Sequence, residues 1–475
     1  MLVWFVVFYL LISSGIGVYV ATRVHNTKDF ALAGRTLPLP IVIATVFATW
    51  FGAEAVFGVS ATFVKEGLRG VVADPFGASF CLIIAGVFYG TKLYKMNLLT
   101  LGDFFRIRFS RSIEVLTTLC IIFSYLGWVS AQVKALGLVF SLITDGAVSE
   151  PVGTVLGAAI VLTYTTFGGM LSTAILDFLQ MITIIAGLLF IAWIVSGMTG
   201  GVAATVAHAA AAGKLNFFPG ADAVEWFSFL GAWMTMMLGS IPQQDVFQRV
   251  TSAKNAKTAI LGSVLGGVIY FAFTFVPMFI AYSATLVDPE VFNGLIAHDS
   301  QLVLPTLVLN HMPVLAQSIF FGALLSAIMS TSSATLLAPS VAFSENIVRG
   351  LFPHLSDRAL LRLMRTTTFG FTCGVLVFSL TSDASIFKMV ENAYKVTLVG
   401  AFVPLFLGVF WSKSTTQGAL VSVCGGVLSW VAIELLVGKD SLLPPQMIGF
   451  CVSLLGMVVG SLLPQKMGVP GRIGA

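Results

Sequence analysis

The sequence predicts an all-α membrane protein, and its composition is the first reason. Of 475 residues, 10% are charged and 57% are hydrophobic, whereas a soluble domain has about 25% charged residues. A soluble protein of this size could not bury so much apolar surface, and a disordered chain would show the opposite balance. The net charge of +4 is spread thinly along the chain, which argues against a nucleic-acid-binding face.

The second reason is the length of the apolar segments. A membrane-spanning helix needs about 20 apolar residues, because about 30 Å of hydrocarbon is crossed at about 1.5 Å per residue. Residues 2–21 do not resemble a signal peptide, since no basic residue precedes them and no small-residue cleavage site follows. Thirteen segments qualify, and they run 2–21, 39–64, 70–91, 114–143, 151–169, 173–198, 226–247, 258–286, 313–346, 366–382, 394–412, 417–437 and 445–463.

The distribution of basic residues predicts that the N-terminus faces outward and the C-terminus faces inward. Inner loops of membrane proteins are enriched in Lys and Arg. With the N-terminus outside, only Lys65, Arg69, Lys214, Lys388 and Lys439 lie in outer loops, and Lys395 adds at most one more. The 18 inner residues are Arg23, Lys28, Arg35, Lys92, Lys95, Arg106, Arg108, Arg111, Arg249, Lys254, Lys257, Arg349, Arg358, Arg362, Arg365, Lys413, Lys466 and Arg472.

The connecting segments are short, and they contain no candidate catalytic domain. The five His residues are scattered in loops or near span ends, and the five Cys residues (81, 120, 373, 424 and 451) lie separately in apolar runs. Neither set has the spacing of a metal site, a disulfide framework or a nucleophile with its base. We therefore expect a multi-pass protein of the cell membrane that is not an enzyme, has no cofactor and needs no protein or nucleic-acid partner beyond the lipid bilayer.

The second predicted span is interrupted by glycine and an acid. Its sequence, ATVFATWFGAEAVFG, places Gly52 and Gly58 on either side of Glu54. Glycine weakens a helix, and unpaired backbone at membrane depth is tolerated only where it is buried in protein or lines a cavity. We therefore predict a helix break around Glu54.

The seventh predicted span has a similar interruption. Its sequence, MMLGSIPQQDVFQR, places Gly239 and Pro242 before three polar residues, Gln243, Gln244 and Asp245. The second and seventh spans are five apart, so they begin two consecutive five-helix units. Because each unit crosses the membrane an odd number of times, the two units have opposite orientations in the membrane. Inverted repeats with paired broken helices are typical of secondary transporters that bind their cargo near the middle of the bilayer.

The ninth span carries small hydroxyl residues on one face. Ala327, Ser330 and Thr331 stand at i, i+3 and i+4 and therefore share that face. Hydroxyls, together with carbonyls freed at a helix break, are suitable ligands for a sodium ion, although Ser and Thr also pack membrane helices together. Among ionisable residues within spans, Glu54 and Asp177 are the functional candidates, and each is suited to binding a cation, taking up a proton or attracting an amine.

Seven stretches of the chain resemble the sodium:solute symporter family, which includes bacterial sodium/proline symporters and the choline-transporter branch. They occur in family order over residues 28–412. They read FALAGRTL, ATWFGAEAVFG, TLGDFFRIRFS, TYTTFGGMLSTAILDFLQ, MLGSIPQQDVFQRVTSAKN, ALLSAIMSTSSATLLAPS and FSENIVRG.

The resemblance implies the LeuT-type fold and a sodium site. One transporter domain over 1–475 would comprise a leading helix (1–27), two repeats (28–198 and 199–412) and two trailing helices (413–475). Asp177 matches the family's acid on the sodium exit route. The implied sodium ligands are the backbone carbonyls of Ala48, Phe51 and Ala327 and the hydroxyls of Ser330 and Thr331.

The choline-transporter branch is the most similar in detail and implies a solute site. Trp50 and Trp128 match two walls of that branch's aromatic cage for a quaternary ammonium, while Gln243 replaces the third wall and Glu54 replaces an uncharged residue. We add Gln244, its neighbour in the second interruption, to the expected solute-binding residues. A hydrogen-bonding amine or a zwitterion fits these replacements better than choline.

The expected function is sodium-coupled import of a small organic solute, such as an amine, an amino acid or a similar zwitterion. Sodium is the coupling ion, and alternating access moves the solute. Two alternatives remain open. One is a proton-coupled symporter of the same fold, and the other is a carrier of a monocarboxylate or a sugar.

Overall fold

The computed structural model describes residues 2–438 and 441–467, and every regular element in this part of the chain is helical apart from one isolated bridge. Lys439 and Arg472, which enter the charge count, lie outside the described residues. Ten helices there are long and apolar enough to cross a membrane. They run Leu2–Ala21, Leu68–Lys95, Arg111–Ile143, Glu150–Met198, Ala256–Val287, Val314–Leu351, Asp357–Thr381, Ile386–Phe410, Thr416–Leu436 and Pro445–Leu462.

A bent pair of helices, Leu39–Trp50 and Glu54–Glu66, meets the same criteria when taken together, with an angle of 56° between its halves. We call this pair the first broken helix. The break occupies residues 51–53 and so precedes Glu54, rather than surrounding it as predicted. Gly58 lies within the continuous second half, where it packs closely against the backbone of Phe387.

The helix Glu150–Met198 contains two of the predicted spans. At about 1.5 Å per residue, its 49 residues would cover more than twice the roughly 30 Å of a hydrocarbon core. The helix is interrupted at Gly169 (φ 50°, ψ −150°), where the sequence predicts the boundary between spans five and six. A Cβ at this glycine would lie 2.5 Å from the carbonyl oxygen of Phe30.

The seventh predicted span is divided between the helices Ala223–Gly239 and Gln244–Thr251, which we call the second broken helix. The intervening residues 240–243 include Pro242. The parallel bridge joins Leu37, which precedes the first broken helix, to Ala253, which follows the second. Within residues 2–438 and 441–467, ten helices, or eleven with the first broken helix, qualify as spans by length and apolarity. The count of thirteen and the orientation stay predictions.

The two longest connections between predicted spans, 199–225 and 287–312, contain helices that the hydropathy pattern does not predict. They contain the helices Val202–Ala211, Pro289–His298 and Val303–His311. Pro289 follows a helix cap in which the Asp288 side chain accepts from the backbone N–H of Val291. A helix start that is defined by a polar cap residue cannot be detected from hydropathy. The remaining short α-helices include Thr27–Leu32 and Leu101–Arg108.

The helix Val314–Ala342 lies at the centre of the molecule, and we call it the central helix. Every residue from Phe320 to Ala342 is buried. The helix packs against Glu150–Met198, Arg111–Ile143 and Leu39–Trp50. By contrast, the first and last two spans expose apolar side chains such as Trp4, Leu435 and Leu455, as lipid-facing helices do. The innermost helix is thus the one that carries Ala327, Ser330 and Thr331.

Candidate functional site

The break in the first broken helix lies directly against the central helix. Phe51 leaves the helical conformation (φ −89°, ψ 72°), and the carbonyl of Ala48 accepts a hydrogen bond from the Thr331 hydroxyl over 3.3 Å. A Cβ at Gly52 would lie 2.5 Å from Thr331 Oγ1 and 2.7 Å from side-chain oxygens of both Gln132 and Glu54. Only glycine therefore allows this close approach.

Asp177 joins the same region from the helix Glu150–Met198. Its carboxylate accepts from the Ser330 hydroxyl over 2.5 Å and also from the hydroxyl of Thr45. The structure thus brings Asp177, Ser330, Thr331 and the Ala48 carbonyl together. Ala327 lies on the same helix face as Ser330 and Thr331, and both Ala327 and Phe51 are fully buried. Oxygen atoms of this kind are the ligands that hard cations prefer.

Three aromatic rings from different helices meet beside the break. Trp50 and Trp128 have ring centroids 5.5 Å apart, Trp128 and Tyr394 are also 5.5 Å apart, and Tyr394 stacks on Trp50 at 6.1 Å. We call these three residues the aromatic box. Among the residues that the structure describes, the indole N–H of Trp50 and the hydroxyl of Tyr394 are buried without hydrogen-bond partners, so they are available to a bound molecule.

Glu54 borders the aromatic box and is fixed by two side chains of the helix Arg111–Ile143. Trp128 Nε1 donates to Glu54 Oε1 over 3.0 Å, and Gln132 Nε2 donates to Glu54 Oε2 over 2.5 Å. Gln132 also accepts from the backbone N–H of Ala53 over 2.9 Å. Trp128 and Gln132 are one helical turn apart, and they hold the carboxylate in place. Glu54 therefore places an acidic group beside three aromatic rings.

The two glutamines expected at the solute site are placed differently. The Gln243 side-chain amide donates to Ser124 Oγ over 2.8 Å and to Thr397 Oγ1 over 3.3 Å. Ser124 and Thr397 lie one turn from Trp128 and Tyr394, respectively, so Gln243 belongs to the surroundings of the box. Gln244 Oε1 instead accepts from the backbone N–H of Leu101, at the start of a short helix, and this bond ties Gln244 to that helix rather than to the box.

A polar cluster that contains Tyr125, Asp245 and Arg249 adjoins the aromatic box at Trp128. The hydroxyl of Tyr125, whose ring stacks on Trp128 at 6.0 Å, donates to Asp245. The guanidinium of Arg249, one turn further along, donates to the hydroxyl of Thr49 over 2.9 Å. Asp245 and Arg249 are both buried. This cluster connects the second broken helix to the first.

Sequence reasoning missed several residues of the site. Tyr394, Tyr125 and Gln132 occupy unremarkable positions in apolar spans, and no periodicity distinguishes them. Asp74 lies outside these groups, but it carries the same signal as Glu54 and Asp177, because it is an acid inside the predicted span 70–91. Lys134, a basic residue inside the predicted span 114–143, donates from its ammonium group to the backbone carbonyls of Ser382 and Ala384.

A polar cavity of about 250 Å³ lies on the side of the site that the charge distribution predicts to face outward. It reaches Gly58 and Gly70, each four residues from an acid of the interior, Glu54 and Asp74. Its lining also includes Thr62, Glu66, His298, Gln301 and Lys388. We call this cavity the vestibule. It provides an aqueous approach that ends near the first broken helix.

Comparison with solved structures identifies the fold. A Na⁺-coupled sialic acid symporter superposes with a TM-score of 0.84 at 17% identity, over 100% of this chain and 99% of that chain. A nucleobase-cation-symport-1 family transporter gives a TM-score of 0.59 at 13% identity, over 91% of this chain and 94% of the other. The chain therefore has a LeuT-like transporter fold.

Sequence comparison identifies the family. The human high affinity choline transporter 1 is 26% identical over 449 residues, which are 90% of this chain and 75% of that protein. The osmoregulated proline transporter of Bacillus subtilis is 25% identical over 481 residues, covering 95% of this chain and 92% of the relative. The sequence pattern described as the sodium:solute symporter family matches residues 30–426. The chain is thus a multi-pass plasma-membrane protein and belongs to the sodium:solute symporter family.

Proposed function

We propose that this protein is a sodium-coupled symporter that imports a small organic solute with a positively charged nitrogen, such as an amine, an amino acid or a similar zwitterion. The main support for the proposal is the close packing of side chains around Gly52. Thr331 approaches this glycine from the candidate sodium site, and Gln132 and Glu54 approach it from the aromatic box. Occupancy of one site therefore alters the position of the backbone that shapes the other.

The candidate sodium site consists of the carbonyls of Ala48, Phe51 and Ala327 and the hydroxyls of Ser330 and Thr331. Thr331 donates to the Ala48 carbonyl and Ser330 donates to Asp177. Binding of Na⁺ would replace these contacts with ion–oxygen contacts and hold the first broken helix against the central helix. Asp177, already bonded to a ligand residue, would accept the ion as it leaves.

The aromatic box and Glu54 determine the class of solute. A cation over the face of an aromatic ring gains about 0.5 kcal/mol at an exposed site and about 2 kcal/mol when desolvated. Three such faces beside a carboxylate favour a positively charged group over an anion or a neutral sugar. The unpartnered donors of Trp50 and Tyr394 can bind a hydroxyl or carboxylate oxygen at the other end of the molecule.

Alternating access would couple the two bound species. One Na⁺ that crosses a potential of about 100 mV releases about 2.3 kcal/mol, and its concentration gradient adds to this. The relatives and the structural neighbour are named for transport of choline, proline and sialic acid. They support import of a small organic solute but differ in the solute itself.

A binding screen tests the proposal. The melting temperature of the purified protein would be measured with each of six solutes: choline, proline, putrescine, sialic acid, lactate and glucose. Each measurement would be made in sodium chloride and in potassium chloride at constant ionic strength. We expect the melting temperature to rise with at least one nitrogen cation or zwitterion, and only in the presence of Na⁺. Stabilisation by lactate or glucose alone would favour the monocarboxylate or sugar alternative.

The coupling ion is tested separately by uptake into proteoliposomes. We expect the solute found in the screen to accumulate when a sodium gradient is imposed and not when a proton gradient is imposed without Na⁺. Accumulation that follows the pH gradient and ignores Na⁺ would instead support the proton-coupled symporter.

A further inference from the structure

Asp74 is a buried acid that belongs to neither the candidate sodium site nor the aromatic box. It lies in the segment Val72–Gly77 of the apolar helix Leu68–Lys95, and its exposed fraction is 2%. The Tyr270 hydroxyl donates to Asp74 Oδ1 over 2.5 Å, whereas Asp74 Oδ2 is buried without a hydrogen-bond partner in residues 2–438 and 441–467. One oxygen of this carboxyl group is therefore unsatisfied.

The surroundings of Asp74 supply no positive charge. The segments packed against it include Glu54–Val59, Leu68–Val71, Ala223–Gly239 and Ala256–Val287. Glu54 is close enough to interact electrostatically with both Asp74 and Tyr270, and Arg69 and Glu225 pair with each other at the surface. Within residues 2–438 and 441–467, neither Asp74 nor Glu54 forms an ion pair with a Lys, Arg or His.

These contacts determine which ligand Asp74 can hold. An ionised carboxylate without a counter-ion is costly in a low-dielectric interior, and a second acid nearby adds repulsion. A sodium ion would need several oxygen ligands, as hard cations do, but Tyr270 provides the one hydroxyl that bonds Asp74 in the described chain. A proton needs no further ligand. We propose that Asp74 is a proton-binding site, with the proton on Oδ2 and the Tyr270 hydrogen bond on Oδ1.

The vestibule provides a source for the proton. Its lining includes Gly70, four residues before Asp74. A hydronium ion in the vestibule would transfer one proton to Asp74 Oδ2, which forms one O–H bond and releases a water molecule, and the reverse transfer would restore the carboxylate. The protein would thus bind H⁺ in addition to Na⁺ and solute, and this inference does not rest on the identity of the solute.

Infrared spectroscopy of the purified protein in lipid nanodiscs tests the proposal without a solute. The carbonyl-stretch region of protonated carboxylic acids should contain a component in the wild type that is lost in Asp74→Asn. In Tyr270→Phe the band should shift, because the carboxyl group loses its hydrogen bond. Glu345→Gln is the matched control and should leave the band unchanged, since Glu345 pairs with Arg349 at 2.8 Å.

Three outcomes would overturn the proposal. The first is a protonated-carboxyl region of the spectrum that does not change in Asp74→Asn. The second, which remains decisive if that variant does not fold, is a band that does not shift in Tyr270→Phe. The third is a band that disappears when N-methylglucamine chloride is replaced by sodium chloride at constant pH, because this would assign the site to Na⁺. Loss of sodium-dependent solute uptake would contradict the proposed function but would not affect this assignment.

Discussion

Gly52 is the residue at which the two candidate sites meet, and its lack of a side chain is a structural requirement. In Gly52→Ala, the new Cβ would be forced against Thr331 Oγ1 and the side-chain oxygens of Gln132 and Glu54. Overpacking of this kind costs about 1–3 kcal/mol. We expect weaker binding of both Na⁺ and solute, measured by titration of each.

Gly370→Ala is the control for Gly52→Ala, because a Cβ at Gly370 would have nothing within 4 Å. We expect wild-type affinities in this variant. If Gly52→Ala reduced the affinity for solute and left that for Na⁺ unchanged, the idea of a shared backbone element would be wrong.

Glu54 provides the charge that distinguishes this site from an uncharged aromatic cage. In Glu54→Gln, a bound cation would lose a charged partner while the hydrogen-bonded shape is nearly kept. Hydrogen bonds to charged groups contribute about 1.5–3 kcal/mol, so we expect the solute Kd to rise about 10-fold to 100-fold. The measurement is calorimetric titration with the solute found in the screen.

The control for Glu54→Gln is Glu66→Gln, which removes the same charge at the exposed end of the same half-helix. It should bind the solute like the wild type. Equal losses in the two variants would show that long-range charge, rather than contact with Glu54, attracts the solute.

At the scale of elements, the sequence indicated the interruptions correctly but not their exact limits. Glycine and proline predicted where the helices would be interrupted, because these residues act on the local backbone. The first break nevertheless lies at residues 51–53, before Glu54, since its position depends on how closely Gly52 approaches Thr331. Tyr394, which completes the aromatic box, could not be predicted because it reaches Trp50 only through tertiary packing.

Gly169 divides the helix Glu150–Met198 and supports a specific prediction about this element. Its φ of 50° and ψ of −150° are unfavourable for any residue with a side chain, at a cost of about 1–3 kcal/mol, and a Cβ would also contact Phe30. We expect Gly169→Ala to lower the melting temperature of the purified protein.

Gly197→Ala, in the same helix, is the matched control, because a Cβ there would meet nothing within 4 Å. Its melting temperature should equal or slightly exceed that of the wild type, because alanine has a higher helix propensity than glycine. Identical melting temperatures for Gly169→Ala and Gly197→Ala would show that the chain does not need a break at Gly169.

At the scale of the whole molecule, composition and hydropathy predicted the class of protein and most of the helices. The fold itself followed from the spacing of the two interruptions together with the family resemblance, and the structural comparison confirms a LeuT-like fold. The helices in the connections at 199–225 and 287–312 were missed because they have only nine or ten residues, which is too short for a membrane span. The number of spans and their direction across the membrane stay predictions.

The predicted orientation can be measured by labelling with a membrane-impermeant maleimide in intact cells. Native cysteines would first be replaced, and single cysteines would then be introduced by Gly294→Cys and His354→Cys, both at exposed positions. The excess of basic residues in the predicted inner loops leads us to expect labelling of Gly294→Cys alone. Labelling of His354→Cys without permeabilisation would show that the orientation is the reverse of the predicted one.

The central claim is that Na⁺ binds where the first broken helix meets the central helix, and binding of radioactive sodium to the purified protein tests it most directly. We expect saturable binding that weakens at least about 10-fold, or about 1.4 kcal/mol, when Ser330→Ala and Thr331→Ala are combined. Ser332→Ala should bind Na⁺ normally, because that hydroxyl bonds the carbonyl of Ile328 in its own helix. An unchanged sodium affinity in the double variant would contradict the account.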